Sequence, residues 1–342
     1  MNPTLAPTSL ASTNSSLPDS SGKCCHKYKI FSVVYIIVFI FGFTANVLAL
    51  YVFIKLRHKR NASNTLMVNL SISDLLFSLT LPIRITYYFT EGTVNLGNIT
   101  CAISTYIFYL NMYTSIFFLM TLSIFRYIAV IYEIRAKEIL TVRRATIITI
   151  AIWIIVASAT TPVFFSPLQG NGSHCFEIKN ENDKENFRVM NYIGLLGFVL
   201  PFLIIIVCYG CIIRQLRASG RQSLLKGRST VPQHKQSRRN SRSIALAAVV
   251  LLVFLFCFLP YHIHRTVYLH QDKEHTTDCS CNTINTFSIL TMCLAVANCC
   301  IDPLIYYFLS GKFCSFLKFP RKRNESAYLQ QNNLGLNVLR LS

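Results

Sequence analysis

Polar side chains that could bind a cation or order water lie inside long apolar segments of this chain. Asp74 and Asp302 lie near the middle of two such segments. The other polar residues deep within apolar sequence are Asn46, Asn111, Ser115 and Asn298. An ionisable group in an apolar environment is costly, so each needs a partner or a function. Their oxygen atoms predict either a sodium ion bound mainly by Asp74 or a hydrogen-bonded water network. Two carboxyl groups at one site also predict that one is protonated.

A second group of residues could bind an anion. Arg84 and Arg265 lie near the ends of two apolar segments, among aromatic and histidine side chains. These neighbours are Tyr87, Tyr88, Tyr109, Tyr113, Tyr261, His262, His264 and Tyr268. Two guanidinium groups in a crevice lined by phenols would bind an anion with an apolar body. The alternative is an aromatic belt at a membrane surface with arginines reaching toward water. We favour the belt for Tyr87 and Tyr268, and the anion site for Arg84.

Seven apolar spans must position these side chains. Charged residues make up 14% of the 342-residue chain and hydrophobic residues 52%, which leaves too few charges to cover a water-soluble enzyme. A membrane helix needs about 20 apolar residues. The predicted spans lie near 30–56, 65–89, 99–132, 144–167, 188–214, 241–269 and 283–309. They do not alternate as β-barrel strands do. The sequence therefore predicts an all-α membrane protein, a seven-transmembrane helix bundle.

The distribution of Lys and Arg predicts the orientation of the bundle. The formal net charge is +19, and the basic residues concentrate in the first, third and fifth connections and in the C-terminal tail. This bias places the N-terminus outside and the C-terminus inside the cell. The positive charge then faces anionic membrane lipid rather than nucleic acid. The predicted domains are an extracellular tail (1–29), the bundle (30–310), and a cytoplasmic segment (311–342) that begins with a short amphipathic eighth helix (311–319).

Covalent modifications are predicted mainly on the extracellular side. The glycosylation sequons that fall outside are at Asn14, Asn98 and Asn171, whereas those at Asn61, Asn69 and Asn324 fall inside or within a span. The chain has 13 cysteines. A bridge between Cys101 and Cys175 would hold the long fourth connection over the bundle. A second bridge would join Cys25 or Cys24 to Cys279 or Cys281, and the sequence does not select the partners. Cys314 is either palmitoylated or a free thiol near the membrane.

The spans carry one motif each that resembles the rhodopsin-like (class A) G-protein-coupled receptors, over about residues 30–318. The motifs are Asn46, "LSISDLL" around Asp74, Cys101, "SIFRYIAV" around Arg126, Trp153, Pro201 with Tyr209, "FCFLP" ending at Pro260, and "DPLIYYF" with Pro303 and Tyr306. Three departures, Phe125, Phe258 and Asp302, are similar to the purinergic and lipid branch of that family. Phe125 replaces the acidic residue that usually pairs with Arg126.

Within that branch the chain is most similar to cysteinyl leukotriene receptors. The similar segments are "TLPIRITYY" (80–88), "STYIFYLNMY" (104–113), "LPYHIHRTVYLH" (259–270) and "ANCCIDPLIYYF" (297–308). The resemblance implies a ligand pocket lined by Arg84, Tyr88, Tyr109, Tyr261, His262 and Arg265. It also implies a lipid tail running between the fourth and fifth spans. The run from His262 to Arg265 also occurs in nucleotide receptors, so a receptor for extracellular nucleotides or another lipid mediator is the alternative.

The resemblance implies signalling rather than catalysis. Ligand contacts would rearrange the polar cluster, and the sixth span, kinked by Pro260, would swing outward below Phe258. Arg126, Tyr209 and Tyr306 would then meet a heterotrimeric G protein, of Gq type with calcium mobilisation. Arrestin and receptor kinases are further implied partners, and no cofactor is expected besides the sodium ion. A retinal pump would need a lysine in the seventh span, and 282–310 contains none.

Overall fold

Each predicted span forms one long helix. The structure is a computed structural model, and it describes residues 21–55, 61–165, 181–226, 244–270 and 283–309. Its main helices are α1 (Ser21–Lys55), α2 (Ala62–Phe89), α3 (Asn98–Ile131), α4 (Val142–Phe164), α5 (Glu181–Lys226), α6 (Ile244–His270) and α7 (Thr283–Leu309). All seven contain a segment long and apolar enough to cross a membrane, which confirms the predicted bundle. The predicted eighth helix lies outside the described residues.

Two helices extend beyond their predicted spans. α1 begins at Ser21, ahead of residue 30, and α5 runs from Glu181 to Lys226, past both ends of 188–214. The apolar pattern marks only the part of a helix that contacts hydrocarbon. Backbone hydrogen bonds continue into the polar flanks because the helix needs no apolar side chains to propagate. The predicted tail boundary at residue 29 therefore falls inside α1.

α3 is the centre of the bundle. It packs against α2, α4 and α5, while α7 packs on α1 and α6 and closes the ring. In the described residues, α4 and α5 both pack on α3 and make few contacts with each other. Interior positions such as Leu81, Ile116 and Phe254 are fully buried, whereas Leu196 is 70% exposed. The apolar side chains exposed on the outer surface of the bundle suit contact with lipid hydrocarbon.

Local hydrogen bonds explain two of the intracellular or intramembrane sequons. The Asn61 side chain accepts a hydrogen bond from the Asn64 amide at 2.8 Å and caps the N-terminus of α2. The Asn69 side chain accepts from the Trp153 indole at 3.2 Å and joins α2 to α4. Both asparagines therefore have structural roles that do not involve a glycan.

α6 contains a wide helical turn that the sequence does not reveal. Residues Val253–Phe258 are π-helical, and the Leu259 amide donates to the Phe254 carbonyl. A π-turn inserts one extra residue into the helix, and such turns are frequent at functional sites. Pro260 follows directly and cannot donate a backbone hydrogen bond. The kink predicted at Pro260 is thus preceded by a change of helical register at Phe258.

Candidate functional site

The predicted anion-binding residues Tyr109, Tyr261 and Arg265 meet near one end of the bundle. We call this the upper end, where α2 and α6 finish; it is the predicted extracellular end. Arg265 Nη1 donates hydrogen bonds to the hydroxyl groups of Tyr109 and Tyr261, the latter at 3.1 Å. The Tyr261 hydroxyl also donates to Tyr109 at 3.2 Å. The guanidinium carbon lies 5.0 Å from the centre of the Tyr109 ring, a cation–π distance.

Arg84 is buried against the same aromatic group. Its side chain is 2% exposed, and Nη2 donates to the Ser104 carbonyl at 3.1 Å. Its guanidinium carbon lies 5.3 Å from the Phe108 ring centre. Phe108 in turn contacts the rings of Tyr109 at 5.2 Å and Tyr261 at 6.1 Å. The two predicted cations are therefore linked through two adjacent aromatic side chains of α3, Phe108 and Tyr109.

Tyr88 and Tyr87 lie in an aromatic cluster between α1 and α2. The Tyr88 ring centre is 4.7 Å from Phe31 and 5.6 Å from Tyr35, and it meets Tyr87 edge-on at 5.2 Å. Tyr87 is 1% exposed, so its assignment to a membrane-surface belt is wrong. The buried position follows from the upper part of α1, and from the turn in which the Gly92 amide donates to the Tyr87 carbonyl at 2.9 Å. Tyr268 is partly exposed, as a belt residue would be.

His262 lies deeper than Arg265. It is buried, its Nδ1 is 2.9 Å from the Phe258 carbonyl, and its ring stacks on Phe198 at 4.5 Å. The Tyr113 ring meets it edge-on at 6.0 Å. Nε2 has no hydrogen-bond partner among the described residues. His262 therefore presents a polar atom below the Arg265 cluster, next to the π-helical turn.

The predicted polar core is assembled from three helices. Asn111 Nδ2 donates to Asp74 Oδ1 at 2.9 Å, and Asn298 Nδ2 donates to Asp302 Oδ2 at 3.1 Å. The Asp74 and Asp302 carboxyl groups lie within electrostatic range of each other. Among the buried oxygens that lack a hydrogen-bond partner in the described part of the chain, four belong to this core: Asp74 Oδ2, Asp302 Oδ1, Asn298 Oδ1 and Ser115 Oγ. All four are hard oxygen atoms, which suit a sodium ion or water molecules.

Other buried polar groups serve packing. Asn46 donates to the Gly42 carbonyl at 3.0 Å and the Cys299 carbonyl at 2.8 Å, which ties α1 to α7. Ser73 bonds to Thr114 at 2.6 Å and joins α2 to α3. Sequence reasoning did not single out Ser73 or Thr114, because small hydroxyl residues in a span carry no distinctive pattern. In the ranges that the structure describes, no group of three or more His, Cys, Asp or Glu residues could hold a metal ion.

The lower end of the bundle carries the predicted signalling residues. Arg126, at the end of α3, lies within electrostatic range of Tyr209 on α5, and Phe125 beside it is buried. The side chain of Tyr306 lies outside the described residues. Ile134, in the connection after α3, is 93% exposed. Sequence reasoning missed Ile134, although an apolar residue between Glu133 and Arg135 is the signal that could have identified it.

Few of the predicted modification sites can be located. Cys101 is disulfide-bonded, and its partner is not among the cysteines whose side chains are described. The side chains of the predicted partners Cys25, Cys175 and Cys279 lie outside that part of the structure, and so do Asn14 and Asn171. Asn98 is exposed at the first residue of α3, where a glycan could be attached.

Comparison with known proteins gives consistent matches along almost the whole chain. Residues 45–306 match the family described as 7 transmembrane receptor (rhodopsin family). The chain is 36% identical over 319 residues to cysteinyl leukotriene receptor 1 of Homo sapiens, covering 90% of this chain and 91% of that receptor. It is 34% identical to the Cavia porcellus receptor of the same name, with 92% of each covered. It is also 35% identical to lysophosphatidic acid receptor 6 of Gallus gallus, covering 88% of this chain and 95% of that receptor.

Proposed function

Since the chain belongs to the rhodopsin family of seven-transmembrane receptors, we propose that it binds an extracellular amphiphilic anion and signals through a heterotrimeric G protein. As a member of this family it is a G-protein-coupled receptor and not an enzyme. The proposed ligand is a cysteinyl leukotriene. The relatives described above are named as receptors for cysteinyl leukotrienes and for lysophosphatidic acid, and both compounds join an anionic group to a lipid chain.

The observation that carries the proposal is the pair of cations beside the neighbouring rings of Phe108 and Tyr109. Arg84 and Arg265 each place a guanidinium group over an α3 ring, and Arg265 already binds two phenol hydroxyls. A carboxylate or phosphate can replace these neutral acceptors with a charge-assisted, bidentate hydrogen bond. The rings of Phe108, Tyr109 and Tyr261 supply the apolar surface beside it. An anion with an apolar body fits both features.

We infer a crevice between α4 and α5 as the path of the lipid tail, because these two helices make few contacts with each other in the described residues. Five partly buried side chains of α3 follow each other at helical spacing along one face, namely Tyr106, Leu110, Tyr113, Phe117 and Met120. Tyr106 donates to the Ala157 carbonyl of α4 at 3.3 Å, and Tyr113 lies against α5. Because α4 and α5 barely contact each other here, this apolar stripe opens toward hydrocarbon. A nucleotide has no lipid chain that could contact this apolar stripe. The stripe therefore favours a lipid ligand over a nucleotide.

The polar core is proposed as an allosteric sodium site. Asp74, Asp302, Asn298 and Ser115 fit such an ion, because each has an oxygen without a hydrogen-bond partner in the described residues. A bound cation would neutralise the charge of the carboxyl pair and stabilise one arrangement of α2, α3 and α7. A water network with a protonated carboxyl is the alternative. The two proposals differ in the response to sodium that they predict.

The lower end is proposed as the G-protein site, with coupling of Gq type and calcium mobilisation. Outward movement of α6 would expose Arg126 and Tyr209, and a helix of the G protein would enter the opening. The exposed Ile134 is a further apolar contact for that partner. The upper end then faces the extracellular space and the lower end the cytoplasm, at the plasma membrane. Arrestin and receptor kinases are proposed partners of the same face.

Binding of a labelled cysteinyl leukotriene tests the proposed function. Membranes from cells that express the chain should bind it saturably, and Arg265→Ala should abolish most of this binding because it removes a charged donor. Ile154→Ala is a matched control, since Ile154 is 61% exposed on the lipid-facing side of α4 and should bind as the wild type does. Binding no higher than in untransfected membranes would refute the leukotriene assignment.

A further inference from the structure

Tyr113 lies where the Arg265 cluster meets the crevice between α4 and α5. Its ring is edge-on to His262 at 6.0 Å, and its hydroxyl end is within electrostatic range of Arg265. The same ring is partly exposed and belongs to the apolar stripe of α3. Tyr113 therefore lies beside His262, with its hydroxyl end against Gly194 of α5 and an apolar face on the α3 stripe.

Two glycines of α5 face Tyr113, and they differ in how much room they leave. A Cβ atom on Gly194 would overlap the Tyr113 hydroxyl and lie 3.0 Å from Cζ. A Cβ atom on Gly197 would lie 3.8 Å from Cδ1 and Cε1, an ordinary contact distance. Glycine weakens the interior of a helix relative to alanine, so its presence there calls for a packing reason. At Gly194 that reason is the space taken by the Tyr113 phenol.

We propose that Gly194 is a positioning residue whose missing side chain forms a slot for Tyr113, and that Tyr113 sets the boundary between the polar and the apolar part of the ligand site. The second half of this inference rests on the proposed function. A side chain at position 194 would push the ring into the crevice, where it would block a lipid tail. Arg84 and Arg265 would keep their contacts with α3, so the anion-binding part would remain.

The structural half is tested by thermal unfolding of the purified full-length receptor. Gly194→Ala should lower the melting temperature, whereas Gly197→Ala, the matched control on the same helix, should leave it unchanged or raise it slightly. Adding Tyr113→Phe to Gly194→Ala should recover the melting temperature, because it removes the overlapping hydroxyl. Equal melting temperatures of Gly194→Ala and Gly197→Ala would refute the claim that Gly194 forms a slot for Tyr113. If Gly194→Ala does not reach the membrane, the double variant must restore expression, and its failure to do so would equally overturn the slot.

The ligand half is tested by the calcium response to a cysteinyl leukotriene. Gly194→Ala should lower the potency at least about tenfold relative to Gly197→Ala, with matched surface expression. Equal potencies would refute the role of Tyr113 at the boundary. If the wild-type receptor gives no response to the leukotriene, both the proposed function and the boundary role of Tyr113 are refuted. The melting temperatures would still test whether Gly194 forms a slot for Tyr113.

Discussion

At the scale of single residues, Arg84 gives the sharpest test of the anion site. It is buried and held between the Ser104 carbonyl and the Phe108 ring. A hydrogen bond to a charged group contributes about 1.5–3 kcal/mol. We therefore expect Arg84→Ala to reduce agonist potency about tenfold or more, as measured by calcium dose–response curves.

Arg84→Lys is the matched variant, because it keeps the charge and loses the planar fork. It should fall between the wild type and Arg84→Ala, and all three proteins should be compared at equal surface expression. Unchanged potency of Arg84→Ala would remove Arg84 from the pocket and leave it as a packing residue between α2 and α3.

Asp74 distinguishes the two interpretations of the polar core. A sodium ion that prefers the agonist-free state lowers agonist affinity. Replacing choline chloride by sodium chloride should therefore weaken agonist binding to wild-type membranes. Asp74→Asn should abolish this difference, because it removes the main charged ligand of the ion. Wild-type binding that is identical in the two salts would favour the water network.

The charged residues of the anion site and of the polar core could be predicted from the sequence, because a charge in a membrane span is energetically costly and is therefore easy to recognise. The sequence could not predict which neighbours those residues meet. The burial of Tyr87 depends on the aromatic cluster between α1 and α2, and the role of Gly194 depends on the position of Tyr113 on another helix. Neither of these contacts between helices produces a pattern in the sequence.

At the scale of helices, α3 and α6 are tied together at the upper end. Phe125 removes the usual carboxylate partner beside Arg126, whereas Tyr109 accepts hydrogen bonds from Arg265 and Tyr261. Tyr109→Phe should release part of this restraint and raise agonist-free inositol phosphate accumulation. A loss of about 1 kcal/mol corresponds to about a fivefold shift between two states.

Tyr106→Phe is the control for this variant. Tyr106 is also on α3, but its hydroxyl donates to the Ala157 carbonyl of α4, so its loss should not affect α6. If both variants show the same basal signalling at equal expression, the hydrogen bonds between α3 and α6 do not stabilise the inactive state.

The sequence located all seven helices, because an apolar run long enough to cross a membrane has few alternatives. It missed the extensions of α1 and α5 and the π-turn Val253–Phe258. Pro260 predicts a kink, but the position of the extra residue depends on packing around Phe254 and Phe258. The crevice between α4 and α5 is a property of three helices together, so no single segment predicts it.

At the scale of the whole molecule, the orientation of the bundle is a separate prediction. Lys55 ends α1 and Arg126 lies near the end of α3, both at the lower end, whereas Glu91 follows α2 at the upper end. The positive-inside rule then places the lower end in the cytoplasm. An N-terminal epitope tag should be labelled on intact cells, and a C-terminal tag only after permeabilisation. Equal labelling of both tags on intact cells would contradict this topology.

The calcium response of cells that express the chain and lack related receptors tests the leukotriene assignment most directly. These cells should respond to a cysteinyl leukotriene and not to uridine or adenine nucleotides, because only a lipid-bearing anion contacts both the cation pair and the apolar stripe of α3. A response to the nucleotides alone would refute the assignment.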